Sequence, residues 1–390
     1  MQPSRSDVFR SDLGLVQKAV RSGVTEKYAN KKDAHWRLWH TFCLQENVDP
    51  FLKTFDDPVP ILQVFGQRYR DGRIAPCGRT VRSSTVSDAI RSVGQMHARM
   101  GTKDPRLDSS GKVDYRISQQ LRSWAKVDDP PTRVRPVPVT LVMYLLTMAY
   151  ASEVFSVSIA EKAFADVITM AFFFLLRPGE YTGTTSDDAA FTLDDVCFHL
   201  GNRRLNNRTA PDHEIEAATA VSLTFTTQKN MSRGDIISHA RSGHFRCCPV
   251  TSIIRLFLRH RRWFAQQQKP FDGKAPLASY YNLQQKHIRV RATDITSQLR
   301  FAASLCEHAT GIPPENISAR SLRAGGAMAL LCGRIDKDTI KLLGRWHSDA
   351  MMRYLHQEAQ PIYQRLSKTM FNNGTYSFNA TDTVPIRVGG

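Results

Sequence analysis

At 390 residues and 42% hydrophobic content the chain is long enough for two domains with cores of their own, which excludes a mainly disordered protein. Its 53 Lys+Arg against 36 Asp+Glu give a formal net charge of +17, spread along the sequence rather than gathered in a tail. Such a spread favours a polyanion held by both domains, with an acidic lipid surface as the plainer alternative. Seven cysteines, odd in number and mostly in apolar stretches, read as a reducing-compartment set rather than a disulfide framework. The N-terminus has no signal-like apolar run, and the longest apolar stretch, 167 to 176, falls short of the roughly 18 residues of a span, so neither secretion nor a membrane segment is expected.

Residues 1 to 130 show helical periodicity in four stretches, 29 to 44, 59 to 69, 84 to 100 and 115 to 126, which predicts a small helical bundle. Asp56-Asp57-Pro58 and Ser83-Ser84-Thr85 are N-cap signals for the second and third helices, and Gly101 is a stop after the third. Arg68, Arg70, Arg73, Arg79 and Arg82 fall between helices, where they are either a solvated face or contacts to a phosphate backbone. Residues 128 to 138 hold four prolines, Pro130, Pro131, Pro136 and Pro138, which forbid helix and favour an extended tether. A domain boundary is placed there, with Arg133 and Arg135 on the tether as further DNA contacts.

The second domain, 131 to 370, opens with two apolar helical runs, 140 to 151 and 159 to 176, the second delivering Arg177 at its end. From Phe191 the pattern turns to β-branched and aromatic residues, and 192 to 198 and 220 to 226 read as strands of a small sheet split by a polar segment, 202 to 208. Pro249 suits the first turn of a helix that runs to Trp263 and carries Arg259, Arg261 and Arg262 at its far end as further candidate DNA contacts. A helix over 296 to 308 and three closely spaced ones at 321 to 332, 336 to 343 and 348 to 358 complete a mostly α, α+β fold. Residues 371 to 390 are expected to be a disordered tail.

Arg177, Arg323 and Tyr354 are the residues through which this chain could do chemistry. Phosphodiester exchange without a metal needs a nucleophile, donors for the two non-bridging oxygens and an acid for the leaving oxygen. Tyrosine, paired arginines and lysine meet these needs in turn: a guanidinium fork binds a phosphate bidentately, and a lysine beside guanidiniums gives up its proton more readily. Each residue alone has a plainer reading, as an ion-pair arginine or a packed aromatic. Their joint order and spacing, with Tyr354 thirty-one residues after Arg323, is the distinctive feature.

In these motifs the chain resembles the tyrosine recombinases, the phage-integrase-like family, and most closely its Crypton-like eukaryotic members, over residues 30 to 365. Leu176-Arg177-Pro178-Gly179-Glu180 resembles the first arginine box, which implies that Arg177 clamps the phosphate and Glu180 orients the site. Lys229, after the strand ending near Phe225, resembles the hairpin lysine and is the implied general acid. Ser321-Leu322-Arg323 resembles the second arginine box, with Arg320 where the family usually has a histidine; a guanidinium there can only donate hydrogen bonds. Gly344-Arg345-Trp346 resembles the box before the nucleophile, so Trp346, with Arg345 as second candidate, is the implied phosphate donor, and Tyr354 the implied nucleophile.

The resemblance implies a SAM-like core-binding domain before a catalytic domain, and cutting of double-stranded DNA through a 3′-phosphotyrosyl bond. It further implies no cofactor, no small-molecule substrate, four protomers acting on two sites, and a nuclear location. Two alternatives stay open: a recombinase-derived DNA-binding protein that no longer cuts, and a topoisomerase of type IB. The helix pair 321 to 332 and 336 to 343 has a helix-turn-helix outline, compatible with groove reading alone. His239, His244, Cys247 and Cys248 cluster in sequence, but adjacent cysteines lack the Cys-x2-Cys spacing of zinc sites, so packing is expected and no metal. Glycine-rich phosphate loops and HExxH motifs are absent.

Overall fold

The computed structural model describes residues 5–24, 26–129, 135–150, 158–183, 190–226, 234–346 and 360–377. It divides into two compact units, Met1–Pro131 and Thr132–Gly390, each with its own apolar core. Helices dominate, with two small antiparallel sheets, so the fold class is α+β. No helix among the described residues is long and apolar enough to cross a membrane.

The first unit holds α1 (Arg5–Ser22), α2 (Glu26–Gln45), α3 (Val59–Arg70), α4 (Ser83–Arg99) and α5 (Tyr115–Val127). Its core is aromatic: Trp39, Phe42 and Phe65 are fully buried and meet edge to face or tilted, with ring centroids 5.2–5.7 Å apart. Helix α1 was not expected. Its apolar residues do recur at 9, 13, 16 and 20, the helical spacing that marks such an element, yet all four are exposed.

The caps differ from expectation in an informative way. Asp57 does bond the first turn of α3, accepting from the Val59 N–H at 3.2 Å. Helix α4, however, begins at Ser83 itself, and its start is satisfied from a distance: Asp128, just past α5, accepts the Ser83 N–H at 2.7 Å. The same carboxylate pairs with Arg70 at the end of α3. One anion thus meets the positive end of one helix and a guanidinium at the negative end of another. Arg70, the residue expected among the DNA contacts, is bonded also to the Val81 carbonyl and is only 11% exposed, so it ties α3 to the end of α5.

In the second unit, α6 (Val139–Tyr150) and α7 (Ile159–Phe173) form the middle of the core. Beside them lies a four-stranded antiparallel sheet in the order β2-β1-β3-β4, built from β1 (Val196–Leu200), β2 (Arg203–Arg204), β3 (Ala220–Phe225) and β4 (Asp235–Ala240). β1 and β3 pair with Cys197 opposite Ser222, and β3 and β4 with Leu223 opposite Ile237. The polar segment between the expected strands supplies β2, and β4 was not expected. After β4 come α10 (Pro249–Gln266), with Pro249 in its first turn, the hairpin β5 (Ser279–Tyr281) and β6 (His287–Arg289), and α11 (Ala292–Thr310). Then follow α12 (Ser321–Cys332), α13 (Lys337–Gly344) and α14 (Gln360–Asn373). Between β1 and α10 there is also the short α9 (Asp212–Glu216). The expected helix at 348 to 358 lies outside the described residues.

The C-terminal end is corrected. Residues 371–377, expected as the start of a tail, close the second unit: α14 runs to Asn373, Gly374 O accepts from Val139 N at 2.7 Å, and the Tyr376 hydroxyl donates to Val137 O at 3.0 Å. Residues 378–390 lie outside the described set.

Two adjacent glycines set the approach of α12. A Cβ at Gly325 would stand 2.2 Å from Val137 O, and one at Gly326 would stand 2.1 Å from Phe172 O. Only hydrogen at these positions lets the backbone of segment 135–138 and the end of α7 lie against α12. Gly325→Ala is expected to lower stability by about 1–3 kcal/mol, because the obstacle is backbone and cannot rotate away; urea denaturation checks this.

Candidate active site

Helix α7 does not run on to Arg177. It ends at Phe173, and Leu175 turns left-handed (φ 51°), so that Leu176 N–H bonds back to Ala171 O at 3.0 Å. A leucine in a conformation that favours glycine costs on the order of 1–2 kcal/mol, offset only if the surroundings fix it. They do, through two arginines. Arg323 in the first turn of α12 donates from Nη1 to Leu175 O at 2.7 Å and from Nη2 to Gly344 O. Arg345 donates from Nη1 to Phe174 O at 3.2 Å and from Nη2 to Leu175 O at 3.1 Å. Guanidiniums belong at this negative helix end.

Arg177 follows at the start of the short helix α8 (Pro178–Tyr181). Its Nη1 donates to Glu180 Oε1 at 2.9 Å, and its backbone N–H to Glu180 Oε2 at 2.7 Å. Glu180, buried, also accepts from Arg345 Nη2 at 2.9 Å. The carboxylate therefore bridges two arginines 168 residues apart in sequence.

Arg345 is itself 5% exposed and left-handed (φ 53°) at the end of α13, with its guanidinium 3.9 Å from the centroid of the Phe225 ring at the end of β3. All four of its Nη hydrogens are in use, on Phe174 O, Leu343 O, Leu175 O and Glu180. It cannot also bind a phosphate through them. In this structure those hydrogens hold Glu180 and the end of α7, where the sequence makes Arg345 a second candidate for a phosphate donor. Trp346 follows it, and the Arg323 guanidinium lies 4.2 Å from the centre of its ring.

Charge in this cluster is unbalanced. Among the described residues, Arg177, Arg323 and Arg345 share one bonded carboxylate, Glu180, with Asp235 as a weaker influence on Arg345, so positive charge is in excess. Burial, then the nearby Arg177 and Arg345, push the Arg323 guanidinium down to about 9. Burial likewise holds Arg345 down, to about 10, against the pull of Glu180. Arg177, 30% exposed, keeps three Nη hydrogens and its Nε–H; Arg323 keeps its Nε–H and one hydrogen on each Nη. The cluster is thus a partly open, preassembled site for a doubly charged oxyanion.

A pH dependence follows. Because Arg323 is held below its ordinary value in the folded protein, its charge lowers stability at neutral pH, and that loss fades as pH rises from about 9 towards the ordinary arginine range. An anion bound here offsets the loss only while Arg323 is protonated. Sulfate is therefore expected to raise the melting temperature at neutral pH, by roughly 2–4 °C for each kcal/mol of binding, and to do so less above about 9. Thermal unfolding with and without sulfate, in the parent and in Arg323→Gln, measures this.

Of the other expected site residues, Lys229, Tyr354 and Arg133 lie outside the described residues. Arg320 is exposed at the N-cap of α12. Arg68 pairs with Glu46, and Arg73 with Asp71 at 2.8 Å; Arg79 and Arg82 are exposed. Arg135 donates its backbone N–H to Asn316 O at 2.8 Å. Arg259 bonds the fully buried Asp166 at 3.1 Å, Arg261 the Ala210 carbonyl at 2.6 Å, and Arg262 both Asp212 and Glu216. His239 is buried with Nδ1 3.0 Å from Ser367 Oγ, and Cys247 and Cys248 are buried at the entry to α10. Among the described residues no group of three His, Cys, Asp or Glu side chains is placed to hold a metal. The anchoring of Glu180 by Arg345 was missed in the sequence; adjacency to a helix-ending glycine was its only signal.

No family model and no curated protein matches the sequence. Among solved structures, the chain is similar to the integrase of transposon Tn1549 in complex with circular intermediate DNA, at 15% identity and TM-score 0.43, covering 88% of this chain and 94% of that one. A variant of that integrase in complex with transposon right end DNA is similar at 13% identity and TM-score 0.38, covering 76% and 80%. The integrase from mycobacterium phage Brujita is similar at 15% identity and TM-score 0.34, covering 93% and 92%. At these identities and TM-scores the likeness assigns no activity to this chain.

Proposed function

We propose that the chain is a DNA strand-exchange enzyme of the tyrosine recombinase type, of the Crypton-like kind that acts in a nucleus. The observation that carries this reading is the cluster of Arg177, Arg323 and Glu180, in which two guanidiniums with free donors face an unneutralised excess of positive charge. Arg177 and Arg323 bind the non-bridging oxygens of the scissile phosphate, and the indole N–H of Trp346 donates to the same group. Glu180 and Arg345 hold the two clamps in place. The Tyr354 oxygen attacks phosphorus and passes its proton to solvent water as the P–O bond forms, since the Arg320 guanidinium cannot accept it. The bond to the 5′ oxygen breaks, and Lys229 supplies the proton that makes the leaving group a 5′ hydroxyl. The energy of the broken ester is kept in the phosphotyrosyl bond, so attack by a second 5′ hydroxyl reseals the strand without ATP or metal. Four protomers on two duplex sites, half of them cutting at a time, complete the proposal.

Nicked duplexes cut from the DNA that flanks the coding region provide the test, because the fragment beyond the nick diffuses away and the covalent complex accumulates. An adduct that survives denaturant is expected; salt-sensitive binding with no adduct on any flanking site would sink the enzymatic reading. One observation favours a second reading, a DNA-binding descendant that no longer cuts: two hydrogens of Arg323 already serve the end of α7 and Gly344. Arg320→His distinguishes the two. In a cutting enzyme that lacks only its usual proton acceptor, the histidine is expected to raise the rate by as much as about 10²-fold.

A further inference from the structure

We propose that the second unit carries another anion site, sharing no residue with the cluster around Arg177, and that it takes a nucleoside phosphate. The site is a cleft of about 560 Å³ lined from α6, α7, α10 and the β5–β6 hairpin. That volume falls within the range of sites for molecules of nucleotide size and is too small for a duplex.

Its walls are of two kinds. Ile254, Leu258 and Trp263 of α10 supply apolar surface, and the Trp263 indole is held flat on Tyr281 with centroids 3.7 Å apart and planes 5° from parallel. Lys162, Arg255, Arg259 and Arg262 supply cations. Asp166, fully buried behind them, anchors the inner pair: it accepts from Arg255 Nε at 2.8 Å, from Arg259 Nη2 at 3.1 Å and from the Tyr150 hydroxyl at 2.6 Å. One carboxylate cannot neutralise two guanidiniums. Arg259 Nη1 is buried and has no hydrogen-bond partner among the described residues, a costly state for a charged donor unless an acceptor enters the cleft. Arg262 is shared between Asp212 and Glu216, and the Lys162 ammonium lies 5.9 Å from the Tyr150 ring.

With Arg241, also in the lining, five cations face Glu216, Asp166 and Asp212 among the described residues, an excess of two. A neutral ligand would leave that excess standing, and a bare phosphate would leave the apolar walls uncovered. An acidic peptide offers one charge per side chain, whereas a phosphate brings two on a single tetrahedral group that Arg259 and its neighbours can share. A nucleotide matches both the charge and the walls, with its base on the apolar side.

Calorimetric titration of the full chain with ADP, adenosine and pyrophosphate tests the assignment. ADP is expected to bind at least roughly tenfold more tightly than either part alone, and less tightly as salt is raised. Arg259→Met should abolish binding. Should that variant fold poorly, Lys162→Met, which breaks no ion pair, should still weaken ADP roughly fivefold. A single strand with a 5′ phosphate that displaces ADP assigns the nucleotide to a strand end; failure to displace assigns it to a free nucleotide. The proposal is overturned if pyrophosphate matches ADP, if neither variant changes affinity, or if an acid-rich peptide binds where ADP does not. Tyr354→Phe should leave ADP binding unchanged, so this test and that of strand cutting fail separately.

Discussion

Tyr354→Phe is expected to abolish the covalent adduct and to lower strand cutting by on the order of 10⁴-fold or more, while DNA binding stays within about twofold. Phenylalanine keeps the ring and removes only the attacking oxygen. Binding, by contrast, draws on the chain's excess of 17 positive charges and on the guanidiniums of Arg177 and Arg323, none of which this change touches. Electrophoresis under denaturing conditions reads the adduct, and a salt titration of affinity reads binding. An adduct that persists would assign the nucleophile elsewhere. Tyr363 on α14, nine residues further along, is then the residue to replace.

Arg345→Ala is expected to cost about 3–5 kcal/mol, the largest effect on stability of any single change near the site. The guanidinium is almost wholly buried and satisfies Phe174 O, Leu175 O, Leu343 O and Glu180 together. Removing it takes the side-chain donor from Phe174 O and Leu343 O, takes one of two donors from Leu175 O and from Glu180 Oε2, and leaves a cavity against the Phe225 ring. Arg345→Lys is expected to recover less than half of the loss, since three hydrogens on one nitrogen cannot reach four acceptors on different sides. A fall in the urea midpoint at constant slope measures the effect. A loss below about 1 kcal/mol would mean that the end of α7 holds its shape unaided. Arg345 and Glu180 should also be non-additive in a double-mutant cycle, because each is the other's partner.

Much of the architecture could be read from local pattern. The apolar runs that become α6, α7 and α10, the proline in the first turn of α10, and the β-branched stretch that becomes β3 all carry their period in the sequence. Where reading failed, distant partners had decided the outcome. Helix α4 begins with an aspartate 45 residues away rather than with its own serines. Helix α7 stops at Phe173, and two guanidiniums from beyond residue 320 donate to the carbonyls of Phe174 and Leu175 that follow it. Residues 371–373 continue α14, and Gly374 and Tyr376 lie against Val139 and Val137, more than 230 residues earlier.

The same division holds for the candidate site. Sequence by itself determined the fold class, through the spacing of apolar residues, and the identity of the arginines, acid and aromatics that stand in order before Tyr354. Only the tertiary structure decided which of those arginines has hydrogens to spare. Arg177 and Arg323 have them on their Nη atoms, and so does Arg259 on Nη1, whereas Arg70 is tied to Asp128 and the Val81 carbonyl and all four Nη hydrogens of Arg345 are taken. The reason is physical: a guanidinium has five donors, and its partners come from chain segments that meet only when the core closes.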